Sequence, residues 1–451
     1  MAEHRTALIV GGGLTGPLLA CLLQRQGWQV TVLEQRPDPR LHTAQAGKSI
    51  NLALAERGLQ ALRLSGLDAA VLAGAVAMHG RRVHVPGVPE QFHAYSSRAG
   101  DAIWSIQRGR FNRLLLDAAQ AAGAQLHFDT PLAGIDWARR EVIAGDQRWP
   151  FDLLVGADGA DSGVRRAMAE GGPLGERRER RERQPHGYKE LNIPASGRLL
   201  ADALHIWPRG GHMSIALPNI DGSFTTTLFL PHDDGSADCF AQLPDGHTAR
   251  RWFDTHYSDL SAELPDLEAD FEHNPIGQLG TLWLERWHAQ GCAVLVGDAA
   301  HPMVPFHGQG MNCGLEDVLA LARHLARPQP LDAALQAYAE ERRPNAGAIQ
   351  AMALENYVEM RERVRAADYQ LERQLAAWLE ARHPERFVPR YSMVTFSCLP
   401  YATAFARGEV QARLLREAVQ GCECFEQIDL AKAERQLLDR LDPLHPLEGA
   451  A

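Results

Sequence analysis

The chain has 451 residues, of which 45% are hydrophobic and 23% charged, and a net charge of −10. That is too long for one ordinary core, so two domains and an appendage are expected. The acidic balance argues against non-specific nucleic-acid binding and against docking on an anionic membrane surface, and no apolar run reaches the roughly 18 residues a membrane-spanning helix needs. The first apolar stretch has no basic signal-type flank and reads as a strand. Seven scattered cysteines, an odd number, fit a reduced cytoplasmic chain without a disulfide framework. Cys422-x-Cys424 has no second pair to complete a metal site and reads as incidental thiols, so no metal is expected.

In chain order, the apolar run 7–10 predicts a buried strand, and Gly11-Gly12-Gly13-Leu14-Thr15-Gly16 after it fits G-x-G-x-x-G. A helical pattern over 17–26 follows, then a second strand over 28–33 that ends at Glu34. The glycines permit a tight turn, close approach of a pyrophosphate and helix–strand packing. An acid at the second strand's end accepts from adenosine hydroxyls and repels a 2′-phosphate, which fits FAD or NAD rather than NADP. Residues 81–85 alternate, 104–108 lead into a helix over 111–122, and 126–128 and 135–137 read as short strands. Residues 151–159 read as a strand with Asp158 at its tip. The charge run 176–183 (ERRERRER) reads as a solvated helix or loop.

Alternation then dominates. Residues 204–207, 213–217 and 224–230 predict an antiparallel sheet, with a turn at 219–222, inserted into the α/β domain. The chain is expected to return to that domain near Thr281. In 292–311 an apolar run ends in Gly297-Asp298, His301-Pro302 follows, and Gly308-Gln309-Gly310 leads into a helix opening at Met311. A carboxylate at a strand tip suits a hydroxylated chain, and a helix N-terminus suits an electron-rich group. A flavin offers both. From about 315 onward the pattern is mostly helical.

G-x-G-x-x-G at 11–16, G-A-D-G at 156–159 and G-D-A-A-H-P at 297–302, in this order, resemble the single-component FAD-dependent aromatic hydroxylases. The stretches 48–54, 184–191, 305–312, 354–360 and 390–396 sharpen the resemblance to the branch that hydroxylates L-kynurenine. The implied fold is α/β: an FAD-binding Rossmann-like domain (1–75, 99–183 and 281–330), an inserted antiparallel β-sheet substrate domain (76–98 and 184–280) and a C-terminal helical region (331–451). Eukaryotic members carry a C-terminal membrane anchor; the polar, charged residues 405–451 resemble the form without one. A monomer or homodimer is expected.

The activity implied is insertion of one oxygen atom into the ring ortho to the amine. NADPH reduces a non-covalently bound FAD, O2 adds at the flavin C4a carbon, and the hydroperoxide transfers its terminal oxygen. The apparent lack of a Ser-His-Asp pattern is consistent with this. The resemblance assigns the substrate carboxylate to Arg81, an arginine fork being suited to it, helped by Tyr95 and Tyr391. It places Asn356 and Glu359 near the amino-acid group and Met360 near the ring. Phe229, Phe306 and His307 would wall the aromatic end, although alternation alone makes Phe229 plain sheet core. Asn356 and Glu359 have i, i+3 spacing and so share a helix side. Cofactor contacts are expected at Gly11, Gly13, Leu14, Thr15, Gly16, Glu34, Gln35, Arg36, Ala53, Arg108, Asp158, Asp298, Pro305, Gly308, Gln309, Gly310 and Met311. No second strand–G-x-G-x-x-G–helix unit is evident, so NADPH would visit a surface groove.

Three other readings compete. Hydroxylation of another aromatic acid needs only a carboxylate clamp and a ring pocket. Flavin-dependent halogenases carry W-x-W-x-I-P, which this chain lacks, Trp283-Leu284-Glu285 failing it. Some proteins use this fold as a prenyl-protein binding scaffold, which intact FAD motifs disfavour.

Overall fold

The computed structural model describes residues 5–41, 51–96, 98, 100–169, 179–195, 197–362 and 367–444, with side chains 359–362 and 367–369 outside that description. Lys48 to Ile50 and residues 176–178, which entered the sequence reading, also lie outside it.

The strand Thr6–Val10 is the middle of the nucleotide fold because it is apolar on both faces. It pairs in parallel with Gln29–Leu33 on one side and Leu153–Gly156 on the other. Ala293–Leu295 and Gln125–His127 extend the parallel sheet, and the antiparallel His288–Ala289 closes one edge. Leu8, Ile9, Val30, Val32, Leu154 and Val294 are buried in a core to which the helix Thr15–Arg25 and a small antiparallel sheet of Leu132–Asp136, Glu141–Ala144 and Gln147–Pro150 contribute.

The second large sheet has seven strands in the order Gly277–Leu284, Glu179–Ile193, Phe224–Pro231, Met213–Pro218, Ala203–Pro208, Gly80–Val83 and Gln91–Ala94. All its pairs are antiparallel except Gly80–Val83 with Ala203–Pro208. The alternation of 204–207, 213–217 and 224–230 falls on three of these strands. Asn219 and Gly222 close the turn between two of them, with Gly222 at φ +84°. One face packs on the helices Gly246–His256 and Leu267–His273 through Trp207, Phe253 and Leu260. The other face is the floor of the candidate substrate site.

Local expectations need four corrections. The charge run does not form a solvated helix or loop: from Glu179 it is an edge-adjacent strand laddered onto Gly277–Leu284, with the Arg180 guanidinium 3.8 Å from the Trp283 ring centroid. Strand pairing and stacking of the arginine stem outweigh the charge pattern. Thr281 therefore lies in the seven-stranded sheet, and the chain regains the nucleotide sheet only at His288. The helix expected from Phe111 begins at Arg108, directly after the strand Ile103–Gln107. The strand expected from Phe151 begins at Leu153.

The long helix Leu331–Glu362 has Pro344 within it, and the helices Ala367–Arg382, Arg390–Thr395, Tyr401–Val419 and Leu430–Arg440 complete the C-terminal part. Leu375, Leu379, Phe387, Leu414 and Leu437 give part of that region a core of its own. Among the described residues no helix is long and apolar enough to cross a membrane.

Candidate flavin and substrate site

Each glycine of the first loop has its own reason. Gly11 sits at φ +117°, and a Cβ there would lie 2.3 Å from the Ala157 carbonyl oxygen. A Cβ on Gly16 would lie 2.0 Å from the Gly11 oxygen, so the helix Thr15–Arg25 packs directly on the turn. At Gly13 nothing lies within 4 Å: the space is open on the side from which a pyrophosphate would approach. That helix starts without a side-chain cap, leaving its first N–H groups available to an anion. Glu34 accepts from the Gly12 N–H at 2.8 Å and from the Arg36 N–H at 3.0 Å. Arg36 Nε also donates to the same oxygen, at 3.2 Å, so Glu34 braces the loop while its other oxygen keeps a second lone pair. Gln35 and Arg36 are exposed beside it.

Asn112 went unnoticed in the sequence. Its Nδ2 donates to the Gly12 and Gly13 carbonyls at 2.8 and 2.9 Å and fixes the loop's outer turn. It stands one helical turn after Arg108, so both belong to one helix face. The i, i+4 spacing from Arg108 was the only signal. Asp158, expected at the cofactor from its strand-tip position, also caps a helix. Its oxygens accept from Ser162 Oγ at 2.5 Å and from the Gly163 and Val164 N–H groups at 2.7 and 3.1 Å, capping the helix Gly163–Ala169.

Asp298 is exposed and has no hydrogen-bond partner among the described residues. The turn that carries it is held from behind. Gly297, at φ +59°, donates its N–H to Asp317 at 3.1 Å, and Asp317 is also bonded to His301 at 2.5 Å and to Arg342 at 2.7 Å. Glu316 receives both Arg342 and Arg57. The His301 and Arg342 charges hold Asp317 below the usual carboxylate range against the opposing effect of its burial. Thr15 ties the two nucleotide segments together: a Cβ on Gly297 or Gly314 would come within 3.0 and 2.9 Å of its Cγ2.

The second loop turns at Gly308, φ +66°, after Pro305–His307 and before the uncapped helix Gly310–Leu325, in which Met311 stands. Asn312 bonds it to the strand Asn51–Leu54, donating to the Ala53 and Gly308 carbonyls at 2.9 and 3.0 Å and accepting from the Ala55 N–H at 2.9 Å. Tyr401 donates to Gln309 Oε1 at 2.8 Å, and Arg57 stacks on the Tyr401 ring at 3.8 Å while donating to the Val394 carbonyl. The C-terminal helices thus touch the flavin loop through one buried polar chain.

The substrate side follows from strand register. Phe229 pairs with Met213 and Tyr188 in one cross-strand row. The next row runs Val83, Ile206, Ile215, Thr227, Glu190. Arg81 is two residues from Val83 and so faces the same way; Arg82 faces the other. The difference is plain in their partners. Arg82 is paired with Asp202 and Glu90, whereas Arg81 is exposed and has no ion pair among the described residues. Its charge acts on the hydroxyls of Tyr95 and Tyr391, whose rings stack 5.7 Å apart, and His307 stacks on Tyr391 at 5.6 Å. At the other end Phe229 meets Phe306 at 5.1 Å, and Tyr357, which was not anticipated, meets Phe306 at 4.8 Å. Asn356 donates to the Phe306 carbonyl at 3.4 Å. Glu359 and Met360 follow on the same helix, with side chains outside the described set.

Burial sets the protonation states. It raises Tyr95 far above the ordinary phenol value and pushes Tyr391 up to about 12, so both remain hydroxyl donors. It pushes His307 down to about 4, leaving a neutral ring. It pushes Glu190 up to about 7 against the pull of Arg108. Glu190 and Tyr188 were missed as site residues; their alternation on a strand containing Gly187 was the available signal.

The family model described as FAD binding domain matches residues 4–178 and 257–353. A kynurenine 3-monooxygenase of Stenotrophomonas maltophilia (strain K279a) is 48% identical over 458 residues, covering 99% of this chain and 98% of that protein. One of Xanthomonas oryzae pv. oryzae (strain KACC10331 / KXO85) is 47% identical over 450 residues, covering 98% of each. Among solved structures, the tetrameric form of 2-methyl-3-hydroxypyridine-5-carboxylic acid oxygenase superposes with TM-score 0.68 at 21% identity, over 85% of this chain and 97% of that one. PqsL of P. aeruginosa in complex with 2-aminobenzoylacetate gives TM-score 0.66 at 24% identity, over 80% and 98%. At these identities the solved structures speak for the fold alone.

Proposed function

The chain belongs to the FAD-binding domain family, in the branch of its kynurenine 3-monooxygenase relatives, and from that premise we propose that it converts L-kynurenine to 3-hydroxy-L-kynurenine. The balance is one kynurenine, one O2, one NADPH and one proton giving 3-hydroxykynurenine, NADP⁺ and water. FAD, when bound, supplies the reduction and oxygen-transfer chemistry. Gly11, Gly13, Gly16, Glu34, Asp298 and the Gly308–Gly310 turn would hold it.

The chain's own part is to bind, orient and exclude water. Arg81 receives the substrate carboxylate in a two-pronged contact, and Tyr95 and Tyr391 donate to the same group. The Asn356 amide donates to a backbone carbonyl, which leaves its side-chain oxygen toward the ammonium. The aminophenyl ring then lies between Phe229, Phe306 and Ile215, apolar side chains that disfavour water. His307 is neutral and shapes the pocket without adding charge. We place the reaction in the cytoplasm, where NADPH is available and all seven cysteines stay unpaired.

The observation that carries the substrate assignment is Arg81: a cation with no ion pair among the described residues, at the end of an apolar sheet face, whose charge acts on two tyrosine hydroxyls. The test is NADPH consumption by the FAD-loaded protein with and without L-kynurenine, with the product identified by mass. The expected result is stimulation by kynurenine and a product heavier by one oxygen. Stimulation by a hydroxybenzoate instead would move the assignment to another aromatic acid.

A further inference from the structure

Three clusters of potential metal ligands lie among the described residues: His84 with Glu90 and His205, His301 with Cys313 and Asp317, and His212 with Asp238 and His256. Two already have a resident cation. Arg342 bonds Asp317 directly, and Arg82 bonds Glu90. In the second of these, moreover, His84 Nε2 and His205 Nδ1 are bonded to each other at 2.9 Å.

The third cluster differs. Among the described residues no lysine or arginine pairs with Asp238. Arg209, whose charge acts on His212, is bonded to Asp259 and to the His84 and His256 carbonyls. The three ligand atoms come within 4.8 Å of one another. They are delivered by three separate segments: the turn before the strand Met213–Pro218, the loop before Phe240, and the last turn of the helix Gly246–His256.

Each ligand is also oriented from behind. The Tyr257 hydroxyl is 2.7 Å from His212 Nδ1, which directs Nε2 into the cluster. Trp252 Nε1 donates to Asp238 Oδ1 at 2.9 Å, and the Trp252 ring stacks on His256 at 4.8 Å. His256 Nε2 is 3.2 Å from the same carboxylate oxygen, and Asp238 Oδ2 has no partner among the described residues. Ligand histidines held through their other ring nitrogen, and carboxylates held by a neighbouring N–H, are the usual outer-shell pattern of bound metals.

We propose that His212, Asp238 and His256 form a binding site for a single divalent transition metal, Zn²⁺ by ligand type, with solvent in the remaining position. Two imidazoles and a carboxylate suit zinc in a tetrahedral arrangement. The ion sits between His256 and Asp238, already 3.2 Å apart, and draws His212 in toward the ligand spacing zinc imposes. It clamps the 233–239 loop to the end of the helix that covers the substrate sheet.

The test uses the tag-free, FAD-loaded protein, stripped with chelator and titrated with Zn²⁺ by calorimetry. One site per chain is expected, with a rise in melting temperature on adding the metal. His212 is buried, so its replacement risks unfolding; His256→Ala and Asp238→Asn are partly exposed and serve instead. Both should weaken Zn²⁺ by tenfold or more while keeping their FAD, and His84→Ala should leave the affinity unchanged. Absence of one-to-one binding, or equal affinity in His256→Ala, overturns the proposal; transfer of the loss to His84→Ala overturns it in favour of the other cluster.

Discussion

Behind the flavin loop the charges that hold the turn are buried and paired, whereas the substrate half leaves its decisive cation exposed and without an ion pair among the described residues. Asp317 and Arg342 have side chains 0% and 3% exposed, bonded to each other and to His301 and Glu316. Their work is to hold the turn from which Asp298 projects. Arg81 has no such partner among the described residues, and Arg82, its neighbour on the opposite strand face, has two. Buried ions that are mutually satisfied act as scaffold; a polar group left unsatisfied at a concave apolar surface is what a ligand completes.

The comparison is broken most severely at Arg342. Arg342→Met leaves Asp317 only the Gly297 N–H and His301 among the described residues, and the expected loss is about 3–5 kcal/mol of stability, read from the urea unfolding midpoint of the FAD-loaded protein. A loss under about 1 kcal/mol would show that the turn is held by packing rather than by charge.

Asp298→Ala should be milder for the fold and selective for the cofactor. It removes a charge-assisted bond worth about 1.5–3 kcal/mol, a ten- to hundredfold weaker hold on FAD. Flavin retained on dilution measures it; full retention would assign Asp298 another role.

Arg81→Lys sharpens the contrast on the substrate side. The charge remains but the planar fork is lost, and the kynurenine dissociation constant should rise about tenfold, or about 1.4 kcal/mol, with FAD content unchanged. Arg82→Lys is the control, expected to leave that constant alone. Equal effects of the two would refute the division of labour between the strand's faces.

The smallest effect concerns Glu190. Its carboxyl is neutral in the folded state up to about 7 but ionises near the ordinary value when unfolded. Between those values the folded state binds the extra proton, so stability falls as pH rises. Glu190→Gln removes that fall. The full shift corresponds to about 3 kcal/mol, which solvent screening of a half-buried carboxyl cuts to a gain of about 1 kcal/mol over the parent at pH 8, with nothing at pH 4.5. His307, pushed down to about 4, has the opposite sign and loses stability as pH falls below the unfolded value, but it is common to both proteins and cancels in the difference. A gain that persists at pH 4.5 would mean that packing, not ionisation, is responsible.

What the sequence by itself determined lies close together along the chain. A glycine turn, the strand before it and the helix after it are set by neighbouring residues, so Gly11, Gly16, Gly308 and the tip position of Asp298 were legible without coordinates. Alternation likewise announced three strands of the large sheet. Charge pattern misled at Glu179 to Arg183, because pairing with Gly277–Leu284 depends on a partner far along the chain. Only tertiary structure decided that Asp158 caps a helix, that Asn112 and Asn312 fix the two loops, and that Arg57 and Tyr401 join the C-terminal helices to Gln309. The physical reason is the same in each case. A backbone turn is a local property of a few adjacent residues, but which side chain meets which is set by register and packing between segments far apart in sequence.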